Sequence, residues 1–171
     1  MQMPERPRLL PRAPWQADDR VVLDYEARLV RRRRLRTEGG RSFLVDLESP
    51  TNLDDWWGFE LADGSRVQVV PADEDLVEVT GDLPRLAWHI GNRHTPCRIE
   101  AGRLLIRRDH VIEAMLARLG AALRPVRAPF TPEGGAYGHG RTMGHEHGHG
   151  SHHHPHHHGP GHGHDHIHPH R

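Results

Sequence analysis

Leu76-Val77-Glu78-Val79, Asp82-Leu83-Pro84-Arg85-Leu86-Ala87-Trp88-His89-Ile90, Cys97-Arg98-Ile99-Glu100, Leu104-Leu105-Ile106-Arg107, Asp109 to Gly120 and Leu123 to Pro129 follow one another in a single stretch. The first group is a short strand. Asp82 then reads as an N-cap with a proline just inside the helix, and Leu83, Leu86, Ala87 and Ile90 recur at helical spacing. Cys97 to Glu100 and Leu104 to Arg107 are two strands joined by Ala101-Gly102-Arg103, a short hairpin loop. Asp109 is a second N-cap, with Val111, Ile112, Met115, Leu116 and Leu119 on one face and Gly120 as the stop. Leu123 to Pro129 closes the pattern as a strand. The order is βαββαβ, the split βαβ or ferredoxin-like arrangement.

Upstream the period is shorter. Val21 to Tyr25, Arg34 to Thr37, Arg41 to Leu47 and Ser65 to Val70 alternate or carry β-branched residues, separated by Gly39-Gly40, Ser49-Pro50 and Asp63-Gly64. Asp63-Gly64 between Phe59-Glu60-Leu61 and Val67 to Val70 predicts a hairpin. The chain is therefore expected to be α+β, with a small all-β domain over residues 1–73 and the ferredoxin-like domain over 74–135. After residue 135 the sequence turns to Gly, His and Pro, which bury too little apolar surface to offset the entropy of ordering. Residues 136–171 are expected to be a His-rich flexible tail, with 138–171 disordered without metal.

Composition removes several function classes. The 171 residues carry 23 Lys+Arg and 23 Asp+Glu, so no net basic field recruits nucleic acid and none is expected as a partner. No apolar run reaches the ~18–20 residues that span a bilayer, and Met1 to Trp15 has Arg and Pro where a signal peptide needs a continuous apolar segment. A cytoplasmic protein without a membrane partner is the expectation. Cys97 is the only cysteine. An intrachain disulfide and a four-thiolate zinc site are both excluded, so metal chemistry must rest on imidazole, with carboxylate and at most one thiolate beside it.

Imidazole is abundant: of 18 His, 15 fall between residues 139 and 170. They include His145-Glu146-His147-Gly148-His149 and His152-His153-His154, with a second triplet after Pro155 and alternate residues to His170. A purification tag is an unbroken run of six, whereas the longest run here is three. Neutral imidazole suits Ni, Zn and Cu, and a flexible tract presents several without fine selectivity. Outside the tail only His89, His94 and His110 remain. His89 and His94 sit about 140° apart on a helix, which is not the i,i+4 pair of a zincin. With no third fixed ligand, a metal hydrolase is not expected. One His94 cannot hold a metal tightly, but two can if a twofold axis brings each protomer's copy together.

Gly91-Asn92-Arg93-His94, with Leu86 to Ile90 before it and Thr95-Pro96 after it, carries a family resemblance together with Leu104 to Val111 and Ala128 to Gly138. This combination resembles the UreE family of urease accessory proteins, well over about residues 60–171 and more loosely over the N-terminal strands. The resemblance implies a cytoplasmic nickel metallochaperone, a homodimer whose β domain is likened to a chaperone peptide-binding domain. It implies His94 as the dimer-interface nickel ligand, Asn92 and Arg93 as loop-positioning residues, and His110 as a further ligand. Some members have another His two positions before the latter; this chain has Arg108. Cys97 reads as a small buried hydrophobe. The implied cargo is Ni(2+), with Zn(2+) and Cu(2+) also bound. Tail residues His145 and His147 would complete the coordination sphere, and others, including His149, His152, His153 and His154, would buffer further ions. The implied partners are the urease accessory GTPase and the apo-urease complex.

A different class also fits a histidine tail: passive nickel or zinc storage or detoxification. Delivery needs His94 on an interface; storage does not. Two other features stand outside both readings. Arg31 to Arg34 with Arg36 is a basic run without interleaved aromatics, read as a solvated β-turn, with a partner or RNA contact as the alternative. Trp56-Trp57 reads as core of the β domain, with an exposed partner surface as the alternative.

Overall fold

A computed structural model describes residues 6–135. The N-terminal half is built from β1 (Arg8–Pro11), β2 (Asp19–Leu23), β3 (Leu29–Arg36), β4 (Ser42–Asn52), β5 (Trp56–Glu60) and β6 (Arg66–Pro71). Four of these form one sheet in the order β1-β5-β6-β2, while β3 and β4 form a separate two-stranded ribbon. The second half follows as β7 (Asp73–Thr80), α1 (Leu83–Asn92), β8 (Arg98–Glu100), β9 (Arg103–Arg107), α2 (His110–Arg118) and β10 (Ala122–Pro129). Its sheet order, β10-β7-β9-β8 with every neighbour antiparallel, is that of the split βαβ arrangement.

Local chemistry explains the ends of these elements. Asp82 accepts from the Arg85 N–H, and Asp109 accepts from the Val111 and Ile112 N–H groups, so both predicted N-caps form. Gly120 has φ +84 after α2, the left-handed conformation that stops a helix. In the β5–β6 hairpin, Gly64 has φ +81 and Asp63 accepts from the Ser65 N–H and hydroxyl.

The N-terminal half differs from the sequence reading in detail. β1 was not foreseen; its four residues, Arg-Leu-Leu-Pro, have no alternation to mark them. Tyr25 lies beyond β2, as the N-cap of a 3-10 turn at Glu26–Arg28. Ser49-Pro50 is not a turn between strands: β4 runs on to Asn52, and the ladder steps from Arg32↔Asp46 to Val30↔Thr51. Residues 47–50 bulge out there, which is how a strand tolerates a proline that cannot donate. Trp57 is buried and Trp56 half-buried, in line with the core reading.

The consecutive apolar residues of β7 and β9 serve two cores. Val77, Val79, Leu104 and Ile106 pack under Leu86, Ile90, Ile112 and Leu116 of the helices. Leu76 and Leu105 point to the other face, where they meet Tyr25 and Phe130. Those two rings stand edge to face at 5.4 Å, a geometry worth ~0.5–1.5 kcal/mol beyond their area burial. Beside them Arg28 is fully buried; it is paired with Asp54 at 2.5 Å and donates to the Leu23 carbonyl and to the Phe130 carbonyl. Arg107 lies over the Tyr25 ring and pairs with Glu26, and Glu74 accepts from the Tyr25 N–H. The two halves are thus joined by a small apolar core ringed with charge-assisted hydrogen bonds.

Candidate metal centre

The site begins with how α1 ends. His94 N–H donates to Gly91 O at 2.9 Å and Thr95 N–H donates to Ile90 O at 3.3 Å. These are the two bonds of a Schellman motif, whose C′ residue must be left-handed. That residue is usually glycine; here it is His94, with φ 55, the only non-glycine with positive φ among the described residues. An L-residue there costs ~1–2 kcal/mol, although histidine tolerates it better than bulky or branched residues. The consequence is an exposed imidazole at the tip of the helix, on backbone fixed by two hydrogen bonds.

Cys97 follows three residues later. It packs against the helix-side core, and burial, reinforced by the nearby Glu133 carboxylate, pushes its thiol up to about 11. A thiol held protonated is a poor metal ligand, so it behaves as the small hydrophobe the sequence suggested. Its carbonyl accepts from the Glu133 N–H at 2.9 Å, and Arg98 donates to the Pro129 carbonyl at 3.2 Å. The segment leading to the tail is therefore tied down beside the His94 loop.

His110 opens α2 and is exposed. It lines a groove of about 570 Å³ between the helices, together with His89, Arg93 and Met115. His94 is not among the lining residues. That His89 and His110 line one groove is not evident from sequence spacing, although the βαββαβ order already places both helices on one face of the sheet. His89 is half-buried, edge to face with Trp88 at 5.0 Å. Arg108 forms a forked ion pair with Glu113 at 2.9 and 3.2 Å, and Glu113 also accepts from the Asp109 N–H. Its guanidinium supports the start of α2. Asn92 ends α1 and Arg93 is its C-cap, both exposed.

Among the described residues no three His, Cys, Asp or Glu side chains come together to hold a metal ion. His145, His147, His149, His152, His153 and His154 lie outside the described residues, as does the expectation of a disordered tail.

Sequence relationships cover both halves of the chain. Residues 6–72 match the family description "UreE urease accessory protein, N-terminal domain", and residues 67–171 match "UreE urease accessory protein, C-terminal domain". This chain belongs to the UreE family. Relatives named urease accessory protein UreE include one from Ruegeria pomeroyi, 63% identical over 76% of this chain and 88% of its own length. Another, from Cereibacter sphaeroides, is 57% identical over 85% of this chain and 81% of its own. A third, from Rhodobacter capsulatus, is 56% identical over 81% and 90%. UreE proteins are accessory proteins, and this chain is accordingly not an enzyme. No helix among its described residues is long and apolar enough to cross a membrane.

Proposed function

We propose that this chain is a cytoplasmic nickel metallochaperone of urease maturation. It binds Ni(II) between two protomers of a homodimer, one His94 from each, and passes it through the urease accessory GTPase to the apo-urease complex. The observation that carries this reading is His94 itself, an imidazole kept at a backbone position where glycine is the easier residue. Strain of this kind points to a function for the side chain.

Three features support a shared site. A single protomer's described residues do not assemble a ligand set. Trp88 and Val111, on the outer sides of the two helices, are 64% and 60% exposed, apolar area that a second copy would cover. Gly91 has open space where a Cβ would stand and no positive φ, so nothing among the described residues requires glycine there, whereas the close approach of another chain would.

The tail is the second component. From Glu133 to His139 is six residues, about 20 Å when extended, and from Cys97 to His94 at most about 11 Å. With Glu133 bonded to Cys97, the first tail imidazoles can reach His94. In this reading His145 and His147 complete the coordination, His149 and His152 to His154 buffer further ions, and His110 with His89 offers a holding point on the same helical layer. Ligands must be neutral to bind, so affinity should fall as pH drops below ~6.5, the ordinary imidazole range. Zn(2+) and Cu(2+) bind the same donors, as the Irving–Williams order requires.

The test is urease activation in a host lacking this gene, at limiting and at excess nickel. Delivery predicts a loss at limiting nickel that excess nickel relieves. Unchanged activation at limiting nickel would leave storage as the better reading.

A further inference from the structure

The ribbon of β3 and β4 carries a concentration of charge that the metal site does not use. Arg31, Arg32, Arg33, Arg34 and Arg36 are exposed, and none pairs with a carboxylate of the described residues. Most other surface arginines are neutralised in pairs, as Arg8 is by Glu60 and Arg124 by Glu78; among the described residues Arg12, Arg85, Arg93 and Arg118 form no ion pair, but they are scattered rather than gathered on one strand. A groove of about 510 Å³ spans the ribbon, lined by Arg32 and Arg34 of β3 and mainly by β4 from Ser42 to Asp46, with Arg6, Arg41 and Leu61 around it. Asp46 is its one acidic lining residue.

The backbone there is also unsatisfied in a directional way. Among the described residues β3 and β4 pair only with each other, so within them β3 keeps an open ladder edge. The register break beyond Arg32 limits its regular part to Arg32–Arg36, about 17 Å at ~3.3 Å per residue. Within it Arg32, Arg34 and Arg36 stand opposite Asp46, Leu44 and Ser42 and share one face, since side chains alternate along a strand. Guanidinium groups match carboxylates as two-pronged donors, and an open edge accepts an extended peptide by main-chain hydrogen bonds.

We infer that the free edge of β3 is a docking surface for an extended acidic segment of a partner protein, with Asp or Glu at alternate positions facing Arg32, Arg34 and Arg36. Single-stranded RNA is the poorer fit. Base stacking needs an open aromatic face, and the groove's one aromatic, Phe43, is packed edge to face on Phe59 at 5.5 Å. This surface is separate from the helical layer that bears His94, so the inference stands or falls apart from the nickel reading.

Fluorescence anisotropy on the full chain at pH 8 with a chelator, so that the tail is neutral and metal-free, tests it. A labelled peptide alternating Glu and Val should bind more tightly than one of the same composition with the Glu residues in a block. Arg32→Ser with Arg34→Ser should weaken that binding about tenfold, the loss of two exposed forked pairs. If that variant does not fold, Arg32→Lys with Arg34→Lys keeps the charge, drops the fork, and should lower the preference for the alternating peptide. Equal binding of the two peptides, or no loss in whichever variant folds, overturns the inference. So does a single-stranded RNA oligonucleotide that binds more tightly than the alternating peptide and is lost in the same variants.

Discussion

The backbone N–H of Glu133 donates to the carbonyl of Cys97 at 2.9 Å, which ties the root of the C-terminal tail to the residue just before β8, three positions after His94. A tract of imidazoles and a single strained imidazole, far apart in sequence, therefore leave the fold from neighbouring points.

The conformation of His94 separates stability from metal binding. His94→Gly removes the left-handed strain while adding backbone entropy to the unfolded chain, so the variant should be as stable as the parent or more so, by up to ~1 kcal/mol. Urea denaturation checks this. The same variant should lose the tightest nickel site, a combination that a purely structural role for His94 would not produce.

Arg28 should be among the least replaceable residues outside the site. It is fully buried between the two halves, and Arg28→Met would leave the Asp54 carboxylate and the Phe130 carbonyl without their partner. Breaking a buried pair from one side costs ~3–5 kcal/mol. Chemical denaturation of the variant should show that loss.

Cys97 should be slow to react. With its thiol pushed up to about 11 from 9.0, the thiolate at pH 8 is about a hundredfold scarcer than in an unperturbed cysteine. Alkylation by iodoacetamide should be correspondingly slow in the native protein and fast in urea. The sign for stability follows: the folded state holds the proton more tightly than the unfolded one, so this group's contribution is intact below about pH 9 and is lost as pH rises toward about 11. Cys97→Ala should flatten that alkaline decline.

The second half of the fold was the more legible from sequence because its signals are strong and local. Asp82 and Asp109 cap where they were expected, Gly120 stops α2, and the apolar run Leu104-Leu105-Ile106 is a strand covered on both faces. The N-terminal half was less so. Pro50 mimics a turn inside a bulge, and β1 is held by its pairing with β5 rather than by any pattern of its own. At the site, His94 stood out as part of Gly91-Asn92-Arg93-His94, but its left-handed backbone did not, because histidine gives no sign of it where glycine would. The tie between Glu133 and Cys97 is a long-range backbone bond that no side-chain pattern announces.

On this reading His94 supplies the tight nickel site and the tail supplies capacity. Calorimetric titration of Ni(II) into the parent, into His94→Ala and into the chain lacking residues 139–171 tests it most directly. The tightest phase should disappear in His94→Ala, and the truncated chain should retain it with fewer ions bound in total. An undiminished tight phase in His94→Ala would contradict it.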